Sequence, residues 1–139
     1  MSGGRVAVDV VIPSDVKAIE PVVALVVQRC RELHFPSRAC TLNIPVALSE
    51  ALSNAIISGN SGDASRRVRV RATVDDRELV LDVTDEGAGF DLADATRDPT
   101  TPAMLLREDG RGLFLMRRLM DRVEQFHEHG NVVRMVLLR

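Results

Sequence analysis

Two alternating stretches, joined by a short turn, constrain the fold of this chain most strongly. Residues 66–74 read RRVRVRATV, with Val68, Val70 and Ala72 on one side and arginines between them. Such period-two alternation is typical of a strand that buries one face and exposes the other. The residues DDR turn the chain into ELVLDVTDEG, a second strand, and strands joined by so short a turn pair antiparallel. The chain therefore builds a sheet with an apolar face that other elements must cover.

Three segments supply that cover. Apolar residues recur at intervals of three and four over about 16–33, 44–58 and 113–120, which is typical of amphipathic helices. The first two helices have candidate caps in front of them, namely Ser14 and either Thr41 or Asn43. Glycines at 59 and 62 are expected to end the second helix.

The order of elements predicts the fold class. One strand is expected near 6–12, two more in the alternating hairpin, and two closing strands near 123–127 and 132–138. We expect an α/β two-layer sandwich, in which a mixed, mainly antiparallel sheet is covered on one face by three helices. At 139 residues the chain is expected to form a single domain over 1–139.

Composition excludes several classes of function. The net charge of −2 gives no electrostatic basis for direct nucleic-acid binding, and the apolar runs are too short for a membrane span. The two cysteines, Cys30 and Cys40, lack metal-ligand spacing and are expected to be reduced, buried thiols. We therefore predict a cytoplasmic protein that binds neither nucleic acid nor membrane.

The second predicted helix contains an unusual polar pair. Residues 48–60 read LSEALSNAIISGN, in which Glu50 and Asn54 interrupt an apolar run. Four residues of helix turn through about 400°, so the two side chains project only ~40° apart. A solvated polar stripe is one interpretation. The other is a chemical site, because Mg²⁺ prefers oxygen ligands, and an acid beside an amide could hold a hydrated Mg²⁺ and a nucleophile.

A second motif stands where a strand ends. In TDEGAGFD, Asp85 leaves the strand, and Gly87 and Gly89 allow the backbone to approach a ligand closely. Alone, an Asp-x-Gly at a strand end is more often a plain turn. The polar segment that follows, 91–109, lacks clear periodicity, and loops of that length are usually functional or disordered.

A third motif, DGRGLFLM, begins at residue 109. Gly110 and Gly112 are expected to precede the third helix, whose free N–H groups form a natural anion site. The motif is not a P-loop, which requires Gly-Lys-Ser/Thr.

Taken in this order, the three motifs resemble those of the Bergerat-type ATP-binding domains of the GHKL superfamily. More closely, they resemble the stand-alone serine/threonine kinases that act as anti-sigma factors. LSEALSNAIISGN resembles that family's N box, DEGAGFD its first glycine box, and GRGLFLMRRLMDRVE its second box and following helix. The resemblance spans nearly the whole chain and implies an ATP lid at about 91–109.

The resemblance also implies a role for each motif residue. Glu50 would be the general base for a protein serine or threonine, Asn54 would coordinate the Mg²⁺ that bridges the phosphates of ATP, and Asp85 would accept the adenine amino group. Among the other implied cofactor contacts, Gly87 and Gly89 would border the base, and Gly110, Gly112 and Leu113 would lie at the phosphates. Either Arg97 or the catalytic candidate Arg107 would lie near the γ-phosphate. Arg111 is the alternative candidate for that arginine.

The sequence departs from the family pattern at three places. Ser58 stands where the family often has His, and Asn60 where it often has Tyr. In the family a threonine of the last strand commonly lies beside the adenine aspartate, and here Asn131 or Val132 replaces it. These departures bear on nucleotide affinity and leave the pair Glu50 and Asn54 intact.

Three functions remain open. The leading one is a partner-switching kinase that phosphorylates a small anti-sigma-factor antagonist and sequesters a sigma factor. The second is a non-catalytic, nucleotide-responsive sequestration module. The third is a switch kinase that controls a signalling phosphatase rather than a sigma factor. The resemblance suggests a homodimer in each case.

Overall fold

The computed structural model describes residues 4–87 and 108–139, with the side chains of 108–112 left out. The elements in chain order are β1 (Arg5–Pro13), a 3₁₀ turn (Val16–Ala18), α1 (Ile19–Glu32), α2 (Ile44–Asn54), β2 (Arg67–Val74), β3 (Glu78–Asp85), α3 (Glu108–Leu119), β4 (Arg122–His127) and β5 (Asn131–Leu138). Two π-helical segments, Ala39–Asn43 and Ala55–Gly59, extend α2 at its ends.

The five described strands form one sheet in the order β1-β2-β3-β5-β4. Every pairing among them is antiparallel, including that of β3 with β5, which the chain reaches only after α3. The predicted α/β sandwich is confirmed. The register of β3 and β5 places Asp85 directly opposite Asn131.

The alternation seen in the sequence decides which face of the sheet is covered. In β2, Val68, Val70 and Ala72 are at most 1% exposed, whereas the arginines between them are exposed. The apolar side of α2 is fully buried against this face, and the core is mostly aliphatic, with Phe35 as its one aromatic residue among those described. The deepest side chains come from both layers: Ile44, Leu48, Leu52, Leu79, Leu81, Leu113, Met116 and Met135.

The other face of the sheet carries paired charges. Arg69 donates two hydrogen bonds to Asp9, at 2.9 and 2.7 Å. Arg134 similarly contacts Asp82, at 2.8 and 2.9 Å, and its guanidinium lies 4.9 Å from the centre of the Phe126 ring. The arginines of the alternating strand thus lie on the open face, as predicted, and Arg69 is paired within the sheet.

The predicted helix caps were wrong. Asp15 caps the first helical turn by accepting from the Lys17 N–H at 2.9 Å, whereas the Ser14 hydroxyl donates to the carbonyl of Arg66. Asn43 makes no cap bond, because the π-helical segment before α2 already supplies helical backbone there. Its amide instead donates to the carbonyl of Leu119, at 2.7 Å.

The other cap candidate, Thr41, lies inside the same π-helical segment. Its hydroxyl donates to the Ser37 carbonyl at 3.0 Å, one turn earlier in the chain.

The start of α3 also differs from the prediction. The helix begins at Glu108, so Gly110 and Gly112 lie within its first turns rather than before it. A glycine costs about 1 kcal/mol in a helix relative to alanine, which weakens helical structure without forbidding it.

One helical stretch, Ala39–Gly59, is long and apolar enough to cross a membrane by length and composition alone. Half-buried helices in a protein core meet the same test, and 50% of this window is buried. The absence of membrane association therefore stays a prediction.

Candidate nucleotide site

The site begins at the last turn of α2, where the polar pair of the sequence lies. Asn54 ends the helix and is only 5% exposed, and its Nδ2 atom has no hydrogen-bond partner among the described residues. Glu50 lies one turn earlier and is half-buried. A buried amide without a partner costs free energy unless a ligand satisfies it. This pair is therefore unlike a solvated stripe, and Asn54 is available to a ligand.

The π-helical segment after Asn54 carries the chain onto the end of β3. It widens the last turn, with the Asn60 N–H bonded to the Ala55 carbonyl at 2.8 Å. This brings Gly59 against the carboxylate of Asp85, so closely that a Cβ on Gly59 would lie 2.1 Å from Asp85 Oδ2. Two motifs that lie well apart in the sequence therefore meet in one cluster.

Asp85 is the buried acid of this cluster. It is 1% exposed, and its carboxylate accepts from the Gly87 N–H at 2.9 Å and from Asn131 Nδ2 at 3.2 Å. Burial raises the pKa of Asp85, while those hydrogen bonds and the nearby Arg66 and His127 act in the opposite direction. Each oxygen keeps one lone pair beyond its single donor. The carboxylate can therefore accept from an exocyclic amine of a ligand.

Gly87 is required by close packing. A Cβ there would lie 1.6 Å from the carbonyl oxygen of Gly59. The glycine therefore lets the turn after β3 lie directly on the end of the α2 segment, beside Asp85.

Asn60 joins three strands to this corner, which sequence analysis did not anticipate. The residue is fully buried; its amide donates to Ser14 Oγ at 2.7 Å and to the Arg67 carbonyl at 3.0 Å, and it accepts from the Glu86 N–H at 2.8 Å. Asn60, which stands where the family often has Tyr, is thus a structural hub that links the ends of three strands by hydrogen bonds. Its only signal in the sequence was an amide directly after a helix-ending glycine.

Of the two residues that could stand in place of the family's last-strand threonine, Asn131 is the one beside Asp85. This residue lies opposite Asp85 on the covered face of the sheet, whereas Val132 belongs to the opposite face. Gln125 Nε2 of β4 donates to Asn131 Oδ1 at 2.9 Å. Asn131 and Gln125 therefore join the site as residues that the motifs alone did not identify.

The remaining predicted residues divide into two groups. The side chain of Leu113 is fully buried in the hydrophobic core, so only its backbone could contact the cofactor. Its cofactor role stays a prediction. Gly110, Arg111 and Gly112 form the first turns of α3, which packs beside α2. Gly89, Arg97, Arg107 and most of the predicted lid 91–109 lie outside the described residues.

The donor set also bears on a metal ion. Within 4–87 and 108–139, no group of three or more His, Cys, Asp or Glu side chains could hold a metal. The unpaired Nδ2 of Asn54 is a hydrogen-bond donor, so it fits a phosphate oxygen rather than a cation. Mg²⁺ would take the Oδ1 oxygen of the same side chain, with phosphates and water as its other ligands, and this metal role of Asn54 stays a prediction.

The fold and this cluster define a class of protein: an α/β sandwich of the GHKL type, with a buried acid and an unpaired amide at one corner of the sheet. Residues 12–137 match the family described as the histidine kinase-like ATPase domain. The chain is similar to the anti-sigma F factor of Clostridium perfringens, at 31% identity over 68% of this chain and 69% of that protein. It is also similar to the serine-protein kinase RsbW of Bacillus subtilis, at 36% identity over 67% of this chain and 61% of that protein. The chain therefore belongs to the GHKL anti-sigma kinase family within the histidine kinase-like ATPase domains.

Proposed function

We propose that this chain is an ATP·Mg²⁺-dependent protein serine/threonine kinase that acts as an anti-sigma factor and phosphorylates a small antagonist protein. The observation that carries the proposal is the corner at which Asn54 presents an unpaired amide and Gly59 packs on the buried carboxylate of Asp85. The names of its relatives, anti-sigma F factor and serine-protein kinase, support the biological role.

Recognition of the base falls to Asp85. Its carboxylate accepts the amino group of adenine, and the close contacts of Gly59 with this carboxylate and of Gly87 with the Gly59 carbonyl hold the acid in place. Guanine has a carbonyl in place of that amine, so an acceptor here discriminates between the two bases.

The phosphates lie toward the last turn of α2 and the start of α3. Asn54 would hold the Mg²⁺ through its Oδ1 oxygen, and the free N–H groups of the first turn of α3 would bind phosphate oxygens. The ion would supply charge neutralisation for phosphoryl transfer. Arg97 and Arg107 lie outside the described residues; we assign Arg97 or Arg107 to the γ-phosphate, and Arg107 or Arg111 to the charge that develops during transfer.

Glu50 carries out the proton transfer. Its carboxylate, one helical turn from Asn54, accepts the proton of the serine or threonine hydroxyl as that oxygen attacks the γ-phosphorus. The bond to the leaving oxygen of ADP then breaks. Phosphoryl transfer depends chiefly on positioning and charge stabilisation, so a single oriented carboxylate suffices.

The partners follow from the same proposal. The substrate is the antagonist, and the sequestered partner is a sigma factor. We place the protein in the cytoplasm as a homodimer, acting without direct contact to nucleic acid or membrane.

A nucleotide titration tests the site itself. Isothermal calorimetry with ATP, with and without Mg²⁺, should show metal-dependent binding in the wild type. That dependence should be lost in Asn54→Ala and retained in the matched control Ser49→Ala on the same helix. Equal metal-dependent binding by wild type and Asn54→Ala would refute the assignment of Asn54.

A phosphotransfer assay tests the chemistry. With γ-labelled ATP and a cognate antagonist, Glu50→Gln should lose transfer and keep antagonist binding. If the folded, ATP-binding wild type labels no cognate antagonist, the kinase proposal fails and the sequestration module replaces it. A pull-down from native cells that recovers a signalling phosphatase instead of a sigma factor would favour the switch kinase.

A further inference from the structure

We propose that Gln125 and Asn131 form a relay of two amides that fixes Asp85 as a hydrogen-bond acceptor and thereby makes the site prefer ATP over GTP. This inference rests on the proposed function, because it concerns how the same site selects its nucleotide. Gln125 acts through Asn131, so it is a positioning residue.

The relay is defined by two hydrogen bonds that run in one direction. Gln125 Nε2 donates to Asn131 Oδ1 at 2.9 Å, and Asn131 Nδ2 donates to Asp85 Oδ2 at 3.2 Å. Asn131 is 4% exposed, so solvent has little access to its amide. Because an amide has a donor end and an acceptor end, the donor of Gln125 determines which end of Asn131 faces Asp85.

The direction of the relay matters for the base. Asp85 accepts from Asn131 Nδ2 at Oδ2 and from the Gly87 backbone N–H at Oδ1. Both hydrogen bonds stabilise the ionised carboxylate, which can only accept. An acceptor suits the amine of adenine and opposes the carbonyl of guanine. If the Asn131 amide were turned round, its oxygen would face Asp85 and favour the protonated acid, whose O–H would donate to that oxygen and whose carboxyl group would be a weaker acceptor for the amine of adenine.

Burial alone favours the protonated form of Asp85, so the groups that stabilise its carboxylate matter for its role as an acceptor. Burial raises the pKa of Asp85, and the nearby groups whose charge lowers it are Arg66, directly before β2, and His127, in β4. His127 is exposed and lies opposite Asn131 in the sheet register. A positive charge at His127 favours the carboxylate of Asp85, so a variant at this residue serves as a control for charge.

The variant Gln125→Glu tests the relay, because a carboxylate at this place accepts a hydrogen bond and draws the donor end of Asn131 away from Asp85. His127→Glu is the matched control: it adds the same charge near Asp85 without removing the amide donor of Gln125. Both changes are made on β4 at side chains that are at least partly exposed, and circular dichroism with thermal melts checks that each variant folds.

Two measurements are made on each protein. Calorimetry gives the ratio of ATP to GTP affinity with Mg²⁺ present, and carboxyl ¹³C NMR gives the titration midpoint of Asp85 in the free protein. We expect the ratio to fall about tenfold in Gln125→Glu, as for loss of one hydrogen bond to a charged group, and less than twofold in His127→Glu. The midpoint should be about one pH unit higher in Gln125→Glu than in His127→Glu.

The outcomes separate the two proposals. If wild type binds no ATP, the proposed function fails together with the relay's role in selection. If wild type prefers ATP and Gln125→Glu keeps the same preference, the relay alone is overturned. Equal changes in the two variants would also overturn it, because charge would then account for the effect.

Discussion

Gly59 lies directly against the carboxylate of Asp85, with room for a hydrogen atom and nothing larger. A Cβ at residue 59 would lie 2.1 Å from Oδ2 and 2.5 Å from Cγ of Asp85. The contact joins the end of the α2 segment to the end of β3, and so joins the phosphate side of the proposed site to its base side.

Gly59→Ala is therefore expected to abolish ATP binding and to lower the free energy of unfolding by about 1–3 kcal/mol, as overpacking does in other buried sites. Calorimetry with ATP and urea denaturation measure the two effects. The matched control is Ser58→Ala, one residue earlier, which should leave both values near wild type. Retained ATP affinity in Gly59→Ala would show that Asp85 can move without loss of function, and would contradict the rigid corner.

Asp85 should impose a pH dependence on stability. Its folded pKa is raised above the ordinary value of 3.8, so its contribution to stability is fully present below that value and is lost as pH rises through the raised pKa. Each unit of raised pKa corresponds to about 1.4 kcal/mol. In Asp85→Asn this titration is absent. The difference in unfolding free energy between variant and wild type should therefore shift in favour of the variant as pH rises from about 4 toward 7.

Urea denaturation at several pH values measures that difference, and calorimetry should show that Asp85→Asn has lost ATP binding throughout. A difference that does not change with pH would mean that Asp85 titrates alike in the folded and unfolded chains.

Asn60 should prove important for stability. Replacing it by Ala removes hydrogen bonds to Ser14, Arg67 and Glu86 at a fully buried place and leaves their partners unsatisfied. We expect Asn60→Ala to lower the unfolding free energy by about 2–4 kcal/mol. Asn43→Ala is the comparison, because it removes one half-buried hydrogen bond and should cost about 1 kcal/mol. Equal losses in the two variants would contradict the role of Asn60 as a hub.

The fold was predictable because its signals are local. Alternation in residues 66–84 identified the covered face of the sheet, and intervals of three and four residues identified the helices that cover it. The predictions of the helix caps and of the first residue of α3 were wrong, because these features are decided by hydrogen bonds made in the folded chain. Ser14, for example, bonds to a carbonyl 52 residues away instead of capping the helix beside it.

The site was predictable only in part, for the same reason. Helical geometry placed Glu50 and Asn54 on one side, and the order of the motifs pointed to Asp85. The partners of Asp85 come from elsewhere in the chain, with Asn131 separated from it by 46 residues. A single sequence offers no register between β3 and β5, so only the family resemblance put Asn131 or Val132 beside Asp85, and the direction of the Gln125 amide could not be read from it.

The two cysteines should differ in reactivity, although both are free and buried. Burial raises the pKa of Cys30 to about 12, so only on the order of 1 in 10,000 of its side chains is thiolate at pH 8. Cys40 lines a surface cleft with Arg31 and His34, and Arg31 partly offsets the effect of burial on its pKa. We expect slow labelling by a thiol reagent in the native protein, with Cys40 modified before Cys30, and rapid labelling of both in guanidinium. Peptide mass spectrometry over time assigns the order, and Cys40→Ala should remove the earlier phase. Native labelling of Cys30 as fast as in the unfolded chain would show that the core around α1 opens freely.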